Sequence, residues 1–269
     1  MLDMIMVDTH THTVLSGHAW STLRENAAAA AGKGMAGLVT TEHGFGMPGA
    51  GPFFLTPAQR MLPATVEGIR TYYGVEANIM DLAGALDIED RMLFGTEFVV
   101  ASMHDICMLP GTEAENTGAY LGTLAHPAVD MLGHIDDRKT PNEFATVVRE
   151  AGRLKRLIEI NNNSLLQRQG SRERVEEIAR LCAEHGVRVA VSSDAHFDDM
   201  IGSVAPALEL LGRIGFPDEL VVNRSLEAFE MYLNERKARL EAARESYIGT
   251  RRSARSVARQ SARQVKQGG

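Results

Sequence analysis

Cysteine is scarce in this 269-residue sequence, which contains only Cys107 and Cys182. Two cysteines form at most one disulfide, so a disulfide-stabilised scaffold is excluded and a reducing compartment fits the composition. The sequence also lacks a run of roughly 18 consecutive apolar residues, the length that indicates a membrane-spanning helix. The acidic residue Asp3 lies near Met1, where a secretion signal would have basic residues followed by an apolar segment. We therefore expect a cytoplasmic protein with no membrane partner.

Basic residues are in the minority and are unevenly distributed. The net charge is −7, from 28 basic and 35 acidic residues. Positions 249–269 hold six basic residues and no acidic residue, so the rest of the chain has 22 basic residues and a charge of −13. Affinity for nucleic acid depends mainly on lysine and arginine that neutralise phosphates. We therefore expect a small ligand rather than nucleic acid, and a flexible basic tail at 246–269 after a single domain at 1–245.

Short apolar segments alternate with longer segments of helical periodicity. Three helices are clearest, at 22–33, 141–152 and 171–185, the first with Ser21 as N-cap and Glu25 near the capping-box position. A strand followed by a helix about every 30 residues predicts a parallel α/β sheet. Closing that sheet into a barrel removes its exposed edges. The seven predicted strands are Met4–Asp8, Gly37–Thr41, Thr71–Glu76, Phe98–Ser102, Met131–His134, Leu157–Asn161 and Arg188–Ser192.

A glycine-rich segment follows the second predicted strand. It comprises Gly44–Gly51, with the sequence GFGMPGAG, and continues through Pro52–Pro57. This composition predicts a long loop, and long loops of this kind often act as lids.

Seven of the nine histidines lie at or after the ends of predicted strands. His10 and His12 stand two residues apart at the end of the first strand, so both rings face one side. Asp194 and His196 repeat this spacing after the seventh strand. The other candidates at strand ends are His18, His43, Glu76, His104 and His134. In a closed α/β barrel the carboxyl ends of the strands meet at one rim, so we expect all nine side chains in one pocket.

These nine groups would repel one another if the imidazoles were protonated and would leave lone pairs unpaired if they were neutral. Divalent cations remove this cost, so the pattern predicts a metal site. Imidazole and carboxylate ligands without thiolate favour zinc, manganese or iron over magnesium or calcium. We interpret His126, before Pro127, as a turn residue and His185 as a partner of a helix C-terminus, outside the site.

The motifs HTHT, TTEHG, GVEANI, EINNNS and SSDAH, together with His18, His104 and His134, resemble the PHP (polymerase and histidinol phosphatase) family. Within that family they are most similar to the YcdX-type metal-dependent phosphatases, and the resemblance extends from Met4 to Pro217. It implies an α/β fold, a distorted, TIM-like (β/α)7 barrel whose carboxyl rim holds three divalent transition-metal ions. Zinc is the preferred ion, with manganese and iron as alternatives. One departure is Glu42 before His43, where the family commonly has aspartate.

The resemblance also implies roles for individual residues. Three sets of ligands are implied: His10, His12, Glu76 and Asp194; Glu76, His104 and His134; and His18, His43 and His196. Glu76, His134 and Asp194 are expected to act in catalysis, since ions sharing Glu76 would lie about 3.5 to 4 Å apart and activate a bridging hydroxide. Arg60 matches an arginine of YcdX-type relatives and is expected to bind phosphate through its guanidinium fork.

Two further groups have weaker assignments. Asn161–Asn163 are expected either to orient ligands or phosphate or to form a turn. Asp105, beside His104, is a candidate acid for the leaving group, although a structural role is favoured.

The leading hypothesis is a metal-dependent phosphatase that hydrolyses a small phosphorylated substrate, a phosphomonoester. A phosphodiesterase or nuclease of the same family needs the same metals and is the nearest alternative. An amidohydrolase-type enzyme also uses a His-x-His motif, but it typically has a bridging lysine where this sequence has Glu76. A non-enzymatic metal-holding module would usually have lost ligands, and this sequence keeps all nine. A homo-oligomer is left open.

Overall fold

Seven parallel strands form the frame of the protein, which we describe from a computed structural model over residues 3–51, 58–168 and 170–244. The strands are β1 (Val7–Thr11), β2 (Gly37–His43), β3 (Thr65–Val66), β4 (Ile69–Asn78), β5 (Phe98–Ser102), β6 (Met131–Leu132), β7 (Leu157–Asn161) and β8 (Val189–Ser192). Hydrogen bonds join them in the parallel order β1-β2-β4-β5-β6-β7-β8. The remaining strand, β3, pairs antiparallel with β4.

The seven strands predicted from the sequence are all present. Their ends shift by a few residues, since β1 begins at Val7 rather than Met4 and β6 is reduced to Met131–Leu132. The short strand β3 was not predicted, because two residues are too few to show a periodic pattern.

Helices lie between most of the successive strands, and two more follow the last strand. They are α1 (Leu23–Gly32), α2 (Asp90–Leu93), α3 (Glu113–Ala125), α4 (Phe144–Arg153), α5 (Asn162–Gln167), α6 (Ser171–His185), α7 (Ala205–Ile214) and α8 (residues 226–244). The prediction of α6 is confirmed at both ends, whereas α4 begins at Phe144 rather than Pro141. Among the described residues, none of the helices combines the length and apolar character that crossing a membrane requires.

The N-cap of α1 corrects the sequence prediction. Thr22, not Ser21, is the cap: its side chain accepts a hydrogen bond from the Glu25 N–H, and the Glu25 carboxylate accepts one from the Thr22 N–H. This is a capping box displaced by one residue. The hydroxyl of Ser21 instead accepts the N–H of Asp198.

Asn223 closes the gap between the first and last strands of the barrel. Its side-chain amide donates to the carbonyl oxygens of Val7 on β1 and Val191 on β8, at 2.7 and 2.6 Å. Its side-chain oxygen accepts the N–H of Val191, and its backbone oxygen accepts the N–H of Met6. Further along, Thr11 of β1 forms a parallel bridge with Ala195, three residues after the end of β8. The sheet is therefore a nearly closed barrel of seven parallel strands, as expected.

Inward-facing positions change from apolar to polar along the strands. Phe98 and Leu157, at the amino ends of β5 and β7, belong to an apolar cluster inside the barrel. Phe229 and Tyr232 of α8 join this cluster, so α8 closes the amino end. Glu159 lies two residues after Leu157 on the same face of β7 and is buried among polar groups. The barrel is consequently filled at its amino end and polar at its carboxyl rim.

The described part of the glycine-rich loop packs against the turn that precedes His18. Gly17 has a φ of 83°, and a Cβ placed on it would lie 2.1 Å from the carbonyl oxygen of Gly49. Both the backbone conformation and the close approach require glycine at position 17. Residues 52–57 of the expected lid and the basic tail at 246–269 lie outside the described residues, and the predictions for them stay predictions.

Candidate metal centre

Glu76, near the carboxyl end of β4, is the centre of the candidate site. Its Oε2 atom lies 3.4 Å from His10 Nε2, 3.5 Å from His12 Nε2 and 2.7 Å from His43 Nδ1. All four side chains are buried. Within the described residues, Oε2 and these three ring nitrogens make no hydrogen bond. Four buried polar atoms thus converge without satisfying one another.

The second oxygen of Glu76 faces two more histidines. Oε1 lies 3.2 Å from His134 Nε2 and 3.4 Å from His104 Nε2. Both carboxylate oxygens therefore have imidazole neighbours, which is the arrangement needed to bridge two metal ions.

Asp194 approaches the same histidines from the end of β8. Its Oδ1 atom lies 3.6 Å from His10 Nε2 and 3.4 Å from His12 Nε2. It is also 3.7 Å from Nδ1 of His196. The His-x-His and Asp-x-His motifs, which begin at positions 10 and 194, thus meet at one point.

His18 adds a group made only of imidazoles. Its Nε2 atom lies 3.3 Å from His43 Nε2 and 3.1 Å from His196 Nε2. The His18 ring stacks on both partners with centroids 4.8 Å apart. His18 is exposed, whereas most of the other candidate ligands are buried, so this group lies at the open side of the site.

Among the described residues, three overlapping sets have their ligand atoms within 4.8 Å of one another: His10, His12 and Glu76; His43, Glu76 and His104; and His12, His43 and His196. These sets overlap the ones that the family resemblance implies. The set with His43 and His196 contains His12 here, whereas the resemblance implies His18 in that place. Unpaired buried nitrogens, two carboxylates and no thiolate suit a divalent transition metal. The residues present therefore fit a metal centre.

The protonation states of most of these groups also suit a metal. Burial opposes the ionised form of Glu76, but His10, His43 and His104 outweigh it and hold the pKa of this carboxyl well below its usual range. Burial, followed by His43, lowers the pKa of His12 well below its ordinary value. For His10 burial acts in the same direction, but Glu159 and Glu76 outweigh it and raise the pKa. Ionised carboxylates and neutral imidazoles are the forms that bind metals.

A β-bulge aims His10 and His12 into the barrel. Val7 faces the interior, and strict alternation would turn residues 10 and 12 outward. The pairing between β1 and β2 slips one residue between Asp8 and Thr11. An extra residue of this kind reverses the direction of the side chains that follow.

Two candidate ligands have backbones in the left-handed region. The φ values are 30° at His134 and 52° at Asp194. Non-glycine residues pay about 1–3 kcal/mol for such conformations, which persist where surrounding contacts enforce them. At His134 the enforcing contact is its N–H, which donates to Glu159 Oε2 at 2.7 Å.

Glu159 is the main residue that the sequence reasoning missed. His10 Nδ1 donates to its Oε1 at 2.6 Å, which leaves His10 Nε2 for a metal. Ser192 and Asn161 also donate to this carboxylate, at 2.5 and 3.1 Å. A charged residue in the middle of the apolar strand LIEIN was the available signal.

Glu42, the departure from the family pattern, acts through Ser16. The Ser16 hydroxyl donates to Glu42 Oε2 at 2.6 Å and accepts from His12 Nδ1 at 3.0 Å and from the His43 N–H. Thr13 N–H also donates to Glu42 Oε2. The glutamate therefore supports two candidate ligands without contacting either.

Two asparagines orient further ligands. Asn78 accepts from His104 Nδ1 at 2.8 Å and donates to Asp87 at 2.6 Å. Asn161 donates to Asp194 Oδ2 at 3.2 Å and caps α5 by accepting the N–H of Ser164. Asn161 thus contacts a candidate ligand, as one of the two expected roles requires, and it caps a helix where the other role expected a turn.

Arg60 is not brought into this group. It lies in a short 3-10 turn, and a Cβ placed on Gly95 would be 1.8 Å from its Nη2 atom. Gly95 precedes β5, so the guanidinium is at the amino end of that strand. The structure of the described residues therefore gives Arg60 no contact with the candidate ligands.

Three other residues are also outside the site. Asp105 accepts a hydrogen bond from Lys139 Nζ at 2.8 Å, and this bond lowers its pKa, which opposes a role as a proton donor. His126 is the C-cap of α3, where its Nδ1 accepts the N–H of Ala128. His185 is in the last turn of α6. Both histidines have the positions expected from the sequence.

A parallel α/β barrel with buried imidazoles and carboxylates converging at its carboxyl rim defines a metal-binding barrel of the kind used by hydrolases. The family model of the PHP domain matches residues 8–213, which is most of the chain. The protein therefore belongs to the PHP domain family.

Curated relatives extend over nearly the same length. A probable phosphatase of Clostridium botulinum is 40% identical over 231 residues, covering 86% of this chain and 95% of the relative. One of Acetivibrio thermocellus is 40% identical over 235 residues, covering 87% and 98%. A solved structure of histidinol phosphate phosphatase from Lactococcus lactis, complexed with zinc, L-histidinol and phosphate, has a TM-score of 0.58 at 17% identity and covers 79% of this chain and 94% of its own. This last likeness concerns the fold alone.

Proposed function

We propose that this protein is a metal-dependent phosphatase that hydrolyses small phosphomonoesters. The observation that carries the proposal is buried Glu76, whose two oxygens face separate groups of imidazole nitrogens. The PHP domain and the relatives named probable phosphatase support a hydrolase acting on phosphoester bonds. Small phosphomonoesters as the substrate class are our addition.

The nine candidate ligands are enough for three divalent ions, and zinc is the preferred metal. His10, His12, Glu76 and Asp194 would hold the first ion, Glu76, His104 and His134 the second, and His18, His43 and His196 the third. Bound ions of this kind supply Lewis acidity toward phosphoryl oxygens and lower the pKa of a coordinated water to about 7.

The residues of the chain have separate tasks in this proposal. Glu76 and Asp194 bring negative charge that balances the ions, and their lowered pKa values keep them ionised at neutral pH. Glu159 fixes the His10 tautomer, and Ser16 fixes that of His12. Phosphate therefore meets a site whose ligands are already aligned, which lowers the reorganisation needed for in-line displacement.

Phosphate binding by Arg60 stays a proposal, and the position of its guanidinium at the amino end of β5 does not support it. An Arg60→Ala variant decides the question. A contact with phosphate predicts a rise in KM of about tenfold, as expected for loss of a charge-assisted hydrogen bond worth roughly 1.5 kcal/mol. Unchanged KM would remove Arg60 from the mechanism.

The test of the proposal is a substrate panel on protein stripped with a chelator and reloaded with zinc, manganese or iron. We expect hydrolysis of p-nitrophenyl phosphate that depends on metal, and little hydrolysis of bis(p-nitrophenyl) phosphate or of N-acyl compounds. Preference for the diester would favour the phosphodiesterase or nuclease hypothesis, and turnover of an N-acyl compound alone would favour an amidohydrolase.

A further inference from the structure

Four large apolar side chains are exposed next to the all-imidazole part of the candidate site. We call them the apolar collar: Val14 (48% exposed), Leu15 (47%), Trp20 (79%) and Phe197 (47%). Val14 and Leu15 lie in the 3-10 turn between His12 and His18, and Phe197 directly follows His196. Contiguous exposed apolar groups of this size at a polar site commonly mark where a ligand binds.

Backbone hydrogen bonds hold these residues beside the candidate ligands. The Trp20 N–H donates to the carbonyl oxygen of His196 at 2.8 Å. The Val14 N–H donates to the carbonyl oxygen of Ser21 at 2.9 Å, and the Asp198 N–H donates to the Ser21 hydroxyl. The collar residues are therefore carried by two segments that are hydrogen-bonded to each other beside the candidate ligands.

Trp20 is exposed on the same short segment as His18. His18 and Trp20 are both exposed, and Ala19 between them is buried. The Trp20 N–H is bonded to the carbonyl oxygen of His196, whose ring contacts that of His18, so Trp20 is held next to this histidine pair.

The collar carries no positive charge. Residues 13–22 and 195–200 contain no lysine or arginine, and Asp198 and Asp199 are their acidic residues. Lys33, which approaches from α1, donates to the carbonyl oxygens of Asp199 and Ile201. The Lys33 ammonium is engaged by these carbonyl oxygens, so a second phosphate or a carboxylate on the substrate would meet mainly apolar and acidic groups here.

We propose that the apolar collar binds the leaving group of the substrate and selects phosphomonoesters whose leaving group is aromatic and not anionic. This inference rests on the proposed phosphatase function. The phosphoryl group would face the candidate ligands, while the aromatic ring would lie against Trp20 and Phe197. Aromatic rings in offset or edge-to-face contact attract one another beyond the effect of the area that they bury.

Trp20 is the only tryptophan of the chain, so its fluorescence reports on the collar directly. The probes are phenylphosphonate, which cannot be hydrolysed as an ester, methylphosphonate and inorganic phosphate, each titrated into metal-loaded protein. We expect a saturable change in emission with phenylphosphonate and a half-saturation concentration about tenfold lower than for methylphosphonate. Equal affinity for the two phosphonates, or no emission change with phenylphosphonate, would overturn the proposal.

Variants provide a second readout. For Trp20→Ala we expect the ratio of kcat/KM for phenyl phosphate to that for glycerol phosphate to fall about tenfold, and Trp20→Phe to restore most of it. Met231, on α8 and 60% exposed, is the matched control, and Met231→Ala should leave the ratio unchanged. Metal content of each variant is measured to exclude loss of the site.

These experiments can reject the proposal for the collar and the proposed phosphatase function separately. Hydrolysis of phosphomonoesters with an unchanged ratio in Trp20→Ala overturns the collar and leaves the phosphatase in place. A fluorescence response to phenylphosphonate without hydrolysis of any phosphomonoester supports the collar as a binding surface and overturns the phosphatase.

Discussion

At the carboxyl rim of the barrel, imidazole nitrogens and carboxylate oxygens face one another while several of them make no hydrogen bond. At the amino end, Asp130 is also fully buried, but its carboxylate accepts from Arg236 Nε at 2.6 Å, from Arg239 at 2.5 Å and from the Val99 N–H at 2.8 Å. The Tyr232 hydroxyl donates to it as well. Converging polar atoms at the carboxyl rim thus lack hydrogen-bond partners, whereas the Asp130 carboxylate at the amino end is paired with two arginines.

The amino end owes this pairing to α8. Phe229 and Tyr232 fill the apolar interior, and Arg236 and Arg239, one and two turns further along the helix, reach Asp130 before β6. Burial, followed by repulsion from Arg239, lowers the pKa of the neighbouring Arg156 to about 10. Removing one partner of a buried ion pair leaves an unpaired buried charge and destabilises the fold, whereas buried polar groups without partners are typical of a functional site.

The largest expected effect is at the rim. Glu76→Gln removes the carboxylate that both groups of histidines face, so we expect turnover to fall by about 1,000-fold or more, together with bound metal. Kinetics and elemental analysis of purified protein measure both. Glu209→Gln, an exposed change on α7, is the control. Wild-type turnover in Glu76→Gln would contradict the central place of this residue.

The next largest effect is expected at the amino end, where a substitution should lower the stability of the fold and leave metal binding unchanged. Asp130→Asn leaves Arg236 and Arg239 without their anion, and we expect the free energy of unfolding to fall by about 3–5 kcal/mol. Denaturant unfolding measures it, and metal content should not change. Glu235→Gln, in an exposed pair with Arg188, should cost about 1 kcal/mol or less. Equal costs for the two variants would show that the buried cluster adds nothing.

Glu159→Gln tests whether Glu159 positions the candidate ligands, because Glu159 is not a candidate ligand itself. Its loss frees the His10 tautomer and the His134 backbone, so we expect metal affinity to fall by about 10–100-fold. Competition with a metal indicator measures the change, and Glu159→Asp should recover part of it. Metal binding unchanged from wild type would reduce Glu159 to a packing residue.

His18→Ala should have a smaller effect, confined to the open side of the rim. We expect about one of three ions to be lost, because the bridged groups keep all their ligands. Turnover should fall by less than in Glu76→Gln. Elemental analysis separates the outcomes, since a variant that keeps three ions and wild-type turnover would remove His18 from the site.

The smallest effect is expected from removal of residues 248–269. These positions are far in sequence from every candidate ligand, so metal content and turnover should stay within error of the full chain, as measured by elemental analysis and a phosphatase assay. A shortened chain that fails to fold, or that changes its mass in light scattering, would show that the tail contributes to the fold or the assembly.

Much of the fold was predictable because its signals are local. Helix α6 carries a long amphipathic pattern and ends before Gly186, so both of its ends were predicted. The N-cap of α1 was misplaced by one residue, since Ser21 and Thr22 have the same chemistry and only the contact with Asp198 separates them. Strand β3 was too short to leave a pattern.

The candidate ligands were predictable because histidine and carboxylate at strand ends are unusual and because parallel strands deliver their ends to one rim. Glu159 was not, since its task depends on His10, Ser192 and the backbone of His134, which come from three other parts of the chain. Arg60 was assigned by resemblance, and the fold placed it at the amino end of β5 instead of among the ligands.

The sequence by itself determined the seven parallel strands, the kinds of candidate ligand and the order in which they occur. The tertiary structure decided which of them face each other. The slip between Asp8 and Thr11 turns His10 and His12 inward, and Asn223 joins the first strand to the last. Both depend on hydrogen bonds between residues distant in the chain, and a pattern of neighbouring residues carries no record of such partners.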